Sequence, residues 1–108
     1  MTKKFHVALS VADLDASIAD YAARLGVSPS AVVPGTYALF RTETLNLSIR
    51  VSPGDAGKLR HLGFEDPSAD GFASDEDVNG IVWERFDEAQ QREEILALWP
   101  HAEILDRR

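Results

Sequence analysis

Apolar and polar side chains alternate from one residue to the next in the segment FHVALSV, near the start of the chain. The odd-numbered positions of residues 5–11 are all apolar, whereas the even-numbered positions carry His6, Ala8 and Ser10. Because successive side chains of a strand point to opposite faces, this pattern predicts a strand with one core-facing side and with His6 on the other side.

The spacing of apolar residues then changes to that of a helix. Asp13 is suited to cap this helix at its start, and Gly26 is suited to end it in a left-handed turn. Its apolar stripe is formed by Leu14, Ile18, Tyr21, Ala22 and Leu25. We expect the helix to cover the face of the first strand that holds Phe5, Val7 and Leu9.

A hairpin follows a loop that is marked by prolines and a glycine. Its strands are predicted at residues 36–41 and 45–51, joined by the short polar link of residues 42–44. The second of these strands alternates again, and its polar face carries Asn46, Ser48 and Arg50. This face resembles the polar face of the first strand, so the two strands together predict a polar groove on one side of a sheet.

The second half of the chain begins after residues 52–57, whose proline and glycines mark the one credible internal boundary. Residues 59–65 are predicted to form a strand. Residues 66–79 are acidic and rich in turn formers, which predicts an exposed loop. Residues 81–86 form the next predicted strand.

A second helix and a last strand complete the predicted order. Asp87 and Gln90 have the spacing of a capping box, and the helix that they open is expected to run to Trp99, because Pro100 stops it. Residues 101–105 are predicted to form a final strand. The order is thus β-α-β-β, a loop, and β-β-α-β, which is an α+β pattern.

Composition narrows the classes of protein to consider. A chain of 108 residues fits one domain, and its formal net charge of −7 disfavours binding to nucleic acid or to an anionic membrane. The absence of cysteine excludes disulfides and thiol chemistry, and it suits a reducing cytosol. The first residues lack the apolar run of a signal peptide or of a membrane span. We therefore expect a cytoplasmic protein whose partner is a small molecule.

Three residues in predicted strands form a candidate metal site: His6, His61 and Glu84. Two neutral imidazoles and one carboxylate on one side of a divalent ion leave neighbouring coordination positions open to a substrate. Glu84 shares its predicted strand face with apolar residues, where a lone carboxylate is costly unless it is paired or bound to a metal. One alternative is a structural ion pair of Glu84 with Arg50 or Arg60, with the histidines only as neighbours. Another is an inherited remnant of a metal site that no longer binds metal.

Three parts of the chain resemble the vicinal oxygen chelate superfamily, which contains glyoxalase I, bleomycin resistance proteins and extradiol dioxygenases. They are FHVALSVADLDASIADYAARLGVSPS, PGTYALF with LNLSI, and LRHLGFE with GIVWERF. Within the superfamily they are most similar to the branch of cadmium-induced proteins and carbon-arsenic lyases. The resemblance implies two βαβββ units, at residues 1–52 and 58–108 of a single domain, which join in a cupped sheet with a divalent metal on its concave face.

The resemblance also implies which residues form the site. The ligands of that branch fall on His6, His61 and Glu84, a set that suits Fe and that also holds Mn, Ni or Zn. Tyr37 and Arg50 are expected to line the cup and to orient an anionic substrate.

The implied chemistry is that of a lyase, an isomerase or a dioxygenase acting on a small oxygenated molecule. The alternative is a metal-free protein that binds a small molecule in a cleft at a dimer interface, as the bleomycin-sequestering members do. A purely structural dimer is a third hypothesis.

The chain also departs from the family. The family has a helix and a further strand between the second histidine and the glutamate, whereas here only residues 66–79 connect the two strands. The second unit is therefore predicted to be truncated or rearranged, with the last helix and strand, or a partner chain, replacing what is missing. We expect a homodimer. The arsenic-binding cysteine pair of the lyase branch has no counterpart, which makes cleavage of organoarsenicals by that route improbable.

Overall fold

In the computed structural model, which describes residues 2–105, eight strands and two helices follow one another in an α+β arrangement. In chain order they are β1 (Lys4–Val11), α1 (Leu14–Leu25), β2 (Ala31–Val33), β3 (Tyr37–Arg41), β4 (Leu45–Val51), β5 (Leu59–Glu65), β6 (Ala73–Glu76), β7 (Val82–Phe86), α2 (Glu88–Leu98) and β8 (Glu103–Ile104). A short 3₁₀ turn at Pro53–Asp55 lies between β4 and β5. No helix in this range is both long and apolar enough to cross a membrane.

The strands form one mixed sheet in the order β6-β7-β5-β1-β4-β3-β2-β8. β1 is parallel to β4 on one side and antiparallel to β5 on the other. β5 is in turn parallel to β7, and β6 is antiparallel to β7 as β3 is to β4. The sheet thus has two halves that meet at the pair of β1 and β5. The first half contains β1, β4 and β3, together with β2 and β8, and the second half contains β5, β7 and β6. The strand directions of β1, β4 and β3 are repeated by β5, β7 and β6.

Helix α1 covers one face of the sheet, which we call the outer face. The Asp13 side chain caps the helix, and Gly26 ends it with a φ of 73°, a value that favours glycine. The core beneath the helix consists of Val11, Leu14, Ala38, Phe40, Leu47 and Ile49. Val7 and Leu9 pack against this core as predicted, but Phe5 is 38% exposed. The helix therefore covers the first half of the sheet and stops short of the second.

Helix α2 lies on the opposite face, which carries His6 and which we call the inner face. The predicted capping box is present, because Asp87 and Gln90 exchange hydrogen bonds between side chain and backbone. The helix packs through a cluster formed by Ala31, Val33, Tyr37, Leu39 and Ile95. All four sheet residues of this cluster belong to β2 and β3, so α2 covers the inner face of the first half.

The second helix and the last strand do not rebuild the second half of the sheet, and that expectation is wrong. β8 pairs with β2 at the far edge, and four strands separate it from β5. There are two physical reasons. β2 would otherwise be an unpaired edge strand, and β8 pairs with it. The apolar inner-face side chains of β2 and β3 would otherwise face water, and α2 covers them. The boundary between units at residues 52 and 58 stays a prediction.

Two strands that the sequence pattern does not predict are present. β2 lies in the segment read as a loop, and β6 lies within residues 66–79, which were expected to form an exposed loop. The side chains of β6 are all exposed, as expected for that segment. Its backbone nevertheless pairs with β7, because an edge strand needs no apolar side chains to complete its hydrogen bonds.

The outer face of the second half carries a group of aromatic rings that neither helix covers. The Phe5 ring lies 5.7 Å from that of Phe64 and 6.3 Å from that of Trp83, measured between centroids. The ammonium group of Lys3 lies 5.2 Å from the centre of the Phe64 ring. These rings form a partly exposed apolar surface on the side of the sheet away from His6.

Candidate metal centre

The pairing of strands brings His6, His61 and Glu84 together on the inner face. In the register, His6 lies opposite Gly63 of β5, and Gly63 lies beside Glu84 of β7, while His61 pairs with Ala8. The Nε2 atoms of the two histidines are 3.0 Å apart. The Oε1 atom of Glu84 lies 3.1 Å from Nε2 of His61 and 4.0 Å from Nε2 of His6. The three predicted ligands therefore meet at one point.

His6 is held in the tautomer that a metal ligand needs. Its ring is 2% exposed, and its Nδ1 lies 2.8 Å from Oδ1 of Asn46. The amide nitrogen of Asn46 donates to Glu65 and to Gln91, at 2.8 Å in each case, so the amide oxygen must face the histidine. Nδ1 of His6 therefore carries the proton, and the lone pair of Nε2 faces His61 and Glu84.

A buried ion pair supports this orientation from behind. Arg41 donates to both carboxylate oxygens of Glu65, at 2.9 and 2.8 Å. Burial acts to raise the pKa of Glu65, but hydrogen bonds from Arg41 and Asn46 outweigh it, and the pKa lies below its ordinary value. Glu65 is therefore an acceptor only, which fixes the direction of the Asn46 amide.

The environment of His6 favours the neutral ring. Burial lowers the pKa of His6, and this outweighs the opposing effect of its hydrogen bond to Asn46. Repulsion from His61 also lowers the pKa, while the carboxylate of Glu84 raises it. A neutral imidazole is the form that binds a metal.

The chemistry of the donor atoms fits a divalent ion. The three donors lie within 4.8 Å of one another and are a group that could hold a metal. Metal–nitrogen distances of about 2.1 Å place neighbouring donors of an octahedral face roughly 3 Å apart. The two distances to His61 match that spacing, and the third requires a small shift of Glu84.

Tyr37 and Arg50, the two predicted substrate-binding residues, line the same cavity of about 140 Å³ as the three candidate ligands. Trp99 packs against Tyr37 with 5.0 Å between ring centroids, and the Arg50 guanidinium lies 5.1 Å from the Trp99 ring. Burial raises the pKa of Tyr37 well above its ordinary value, so its hydroxyl stays protonated. Their role toward a substrate stays a prediction.

A bulge in β5 places Arg60 at this cavity as well. Ala8 pairs with His61 but Leu9 pairs with Leu59, so that Arg60 faces no residue of β1. An extra residue of this kind re-aims a side chain, and Arg60 lines the cavity beside His61. Arg60 is largely exposed, but partial burial of its guanidinium lowers its pKa, and the positive charge of Arg50 adds to the effect.

The alternative ion pair of Glu84 is not formed. Within residues 2–105, the side-chain nitrogens within 4.0 Å of its carboxylate belong to the rings of His6 and His61. Arg50 and Arg60 line the same cavity without pairing with it.

The sequence reading did not single out Asn46 or Gln91 as supports of the site. Strand alternation did place Asn46 on the polar face of β4. Its partnership with His6, however, depends on the parallel pairing of β1 with β4, which joins segments 40 residues apart.

No family model matches the sequence, and no curated protein matches it either. The site's own geometry therefore carries the functional argument.

Replacing Asn46 by alanine should weaken both the fold and the site. The change removes the donor to Glu65 and Gln91 and the side-chain acceptor for His6, which keeps only the longer contact of 3.2 Å to the backbone carbonyl of residue 46. It therefore leaves buried polar groups unpaired. We expect the free energy of unfolding to fall by about 2 kcal/mol and the metal affinity to fall by roughly 10- to 100-fold. Urea denaturation and metal titration measure the two effects.

The matched control is Asn79→Ala, which changes an exposed turn residue. It should leave both quantities unchanged. An Asn46→Ala protein with wild-type metal affinity would contradict the role assigned to the amide.

Proposed function

We propose that this chain is a metal-dependent enzyme of the vicinal oxygen chelate type, in which His6, His61 and Glu84 hold one divalent ion. The observation that carries the proposal is the meeting of these three side chains on the inner face, with Nε2 of His6 left unprotonated by Asn46. Fe, Mn, Ni and Zn all suit two imidazoles and a carboxylate, and the proposal extends to each of them.

The topology supports the same assignment. The order β1, α1, β2, β3, β4 is a βαβββ unit, and β5, β6 and β7 repeat its strand pairing without the helix. The candidate ligands lie on β1, β5 and β7, the strands that the resemblance assigns to them. We infer a second unit that is shortened by the loss of its helix and of the strand that would correspond to β2.

The residues around the site are suited to lyase, isomerase or dioxygenase chemistry on a small oxygenated molecule. A divalent ion held there would supply Lewis-acid polarisation of substrate oxygens. Tyr37 presents a protonated hydroxyl as a hydrogen-bond donor, and Arg50 presents a fixed positive charge. Helix α2 forms one wall of the cavity and shields it from water on that side.

A second candidate function is a metal-free dimer that binds a small molecule. The uncovered rings of Phe5, Phe64 and Trp83 favour it, since a partner chain is one way to bury them. A homodimer is compatible with both candidate functions. We propose it because a partner chain would bury these uncovered rings.

Titration with Co(II) tests the leading proposal. After equilibrium dialysis the protein should retain one equivalent of Co(II), and ligation by two imidazoles should shift the visible bands of the ion away from their aqueous positions. Oxalate, which presents two neighbouring oxygens, should then change the spectrum, because coordination positions remain open. A protein that retains no Co(II) after dialysis would contradict metal binding, and an unchanged spectrum with oxalate would contradict an open site.

A further inference from the structure

Two arginines, Arg50 and Arg60, stand between the candidate metal centre and the surface. Both line the cavity that contains the three ligands, and both also line a larger groove next to it, which includes Lys58. Arg50 projects from the inner face of β4, and Arg60 occupies the bulge that directly precedes His61. The two guanidinium groups therefore flank the passage from the groove to the ligands.

These two arginines differ from the others that the structure describes. The remaining arginines each pair with a carboxylate: Arg24 with Asp20, Arg41 with Glu65, Arg85 with Asp66 and Arg92 with Glu88. Within residues 2–105, Arg50 and Arg60 form no ion pair and donate no side-chain hydrogen bond. The Arg50 side chain is instead held against the ring of Trp99. Its fork of N–H groups thus remains available to a ligand.

The charge around the cavity favours an anion once a divalent ion is present. Glu84 and Glu94 are the carboxylates among the residues that line it. A divalent ion and the two guanidiniums outweigh them. The chain as a whole has a net charge of −7, so a positive passage is a local departure from a surface that repels anions.

We propose that the substrate of this site carries a carboxylate or phosphonate group, bound by Arg50 and Arg60, in addition to the neighbouring oxygens that face the metal ligands. The inference rests on the proposed function and goes beyond it, since it names the chemical class of the substrate. A planar fork of donors is the group that best matches the oxygens of a carboxylate or a phosphonate. Arg60 is the specificity-determining residue that the bulge supplies.

Three probes test this assignment by isothermal titration under anaerobic conditions: catechol, 3,4-dihydroxybenzoate and 3,4-dihydroxyphenylphosphonate. All of them present two neighbouring oxygens, and they differ in whether a carboxylate, a phosphonate or neither is attached. Each is titrated into zinc-loaded and metal-free protein, as the wild type and as the variants Arg50→Gln, Arg60→Gln and Arg24→Gln. Arg24 lies on α1 at the outer face and serves as the matched control.

In the zinc-loaded wild type, at least one acidic probe should bind about tenfold more tightly than catechol, as one charge-assisted contact allows. Arg50→Gln and Arg60→Gln should each bring that ratio towards one and leave the affinity for catechol unchanged, whereas Arg24→Gln should keep the wild-type ratio. The acidic probe that binds more tightly identifies the group. Arg60 is exposed, so its variant should fold even where Arg50→Gln disturbs Trp99.

A wild-type ratio near one, or a ratio that Arg60→Gln does not change, overturns the inference. Zinc content is measured in every sample, so that a protein that takes up no metal contradicts the proposed function alone. In that case the metal-free protein decides the inference. Binding of an acidic probe that depends on Arg60 supports it, whereas binding that does not depend on Arg60, or no binding at all, overturns it.

Discussion

Replacing His61 by alanine should reduce the affinity for Co(II) or Zn(II) by more than about 100-fold. Loss of a group that only supports a ligand already costs roughly 10- to 100-fold, and His61 contributes a donor atom itself. Its Nε2 is also the atom nearest to both other donors, at 3.0 Å from His6 and 3.1 Å from Glu84. Without His61, only His6 and Glu84 remain as ligands. Their donor atoms are 4.0 Å apart, and two ligands hold an ion less tightly than three.

The loss should appear as a missing thermal shift. An ion present at 100 times its dissociation constant stabilises the wild type by about 2.7 kcal/mol, whereas the variant should gain at most about 0.4 kcal/mol. Without metal, the two proteins should unfold within about 1 kcal/mol of each other, because His61 is partly exposed. Differential scanning calorimetry with and without metal measures both quantities.

The matched control is His101→Ala, since His101 is exposed and lies between α2 and β8. It should keep the metal affinity and the thermal shift of the wild type. A His61→Ala protein that still binds one equivalent tightly would place the metal elsewhere and contradict the site.

Replacing Gly63 by alanine should give the largest loss of stability among the changes considered. Gly63 lies between His6 and Glu84 in the sheet, and a Cβ atom there would run into the backbone of Glu84. Backbone cannot move aside as a flexible side chain does, so β5 and β7 must separate. We expect the free energy of unfolding to fall by about 3 kcal/mol or more and the melting temperature to fall by roughly 13 °C or more.

The same change should also weaken metal binding, because the separation of β5 from β7 moves Glu84 away from His61. Gly54→Ala is the control: Gly54 has open space around its Cα and does not require a left-handed backbone. It should unfold at the wild-type temperature. A Gly63→Ala protein as stable as the wild type would show that the approach of the two strands can relax without cost.

Much of the secondary structure could be predicted because its signals are local. The alternation in β1 and β4, the Asp13 cap, the glycine after α1 and the capping box of α2 all lie within a few neighbouring residues. β2 and β6 could not be predicted in the same way. One is three residues long, and the other carries exposed side chains, so that only pairing with a neighbour makes either of them a strand.

The candidate ligands could be named for a similar reason. The side chain of a strand residue points to one of the two faces of the sheet, and alternation puts His6 on the face opposite the apolar side of β1. The resemblance then joined it to His61 and Glu84. Alternation in β5 taken alone would have placed Arg60 on the face opposite His61, and only the bulge opposite Ala8 and Leu9 changes that.

The sequence by itself determined which segments are helices and most of the strands, and which face of β1 and β4 is polar. These features depend on the periodicity of neighbouring side chains, which is a local property of the sequence and does not depend on tertiary contacts. Only the tertiary structure decided that β1 lies between β4 and β5, that Asn46 orients His6, and that α2 covers the inner face of the first half. Such partnerships join residues dozens of positions apart, and they follow from which exposed edges and apolar faces remain to be paired once the local elements have formed.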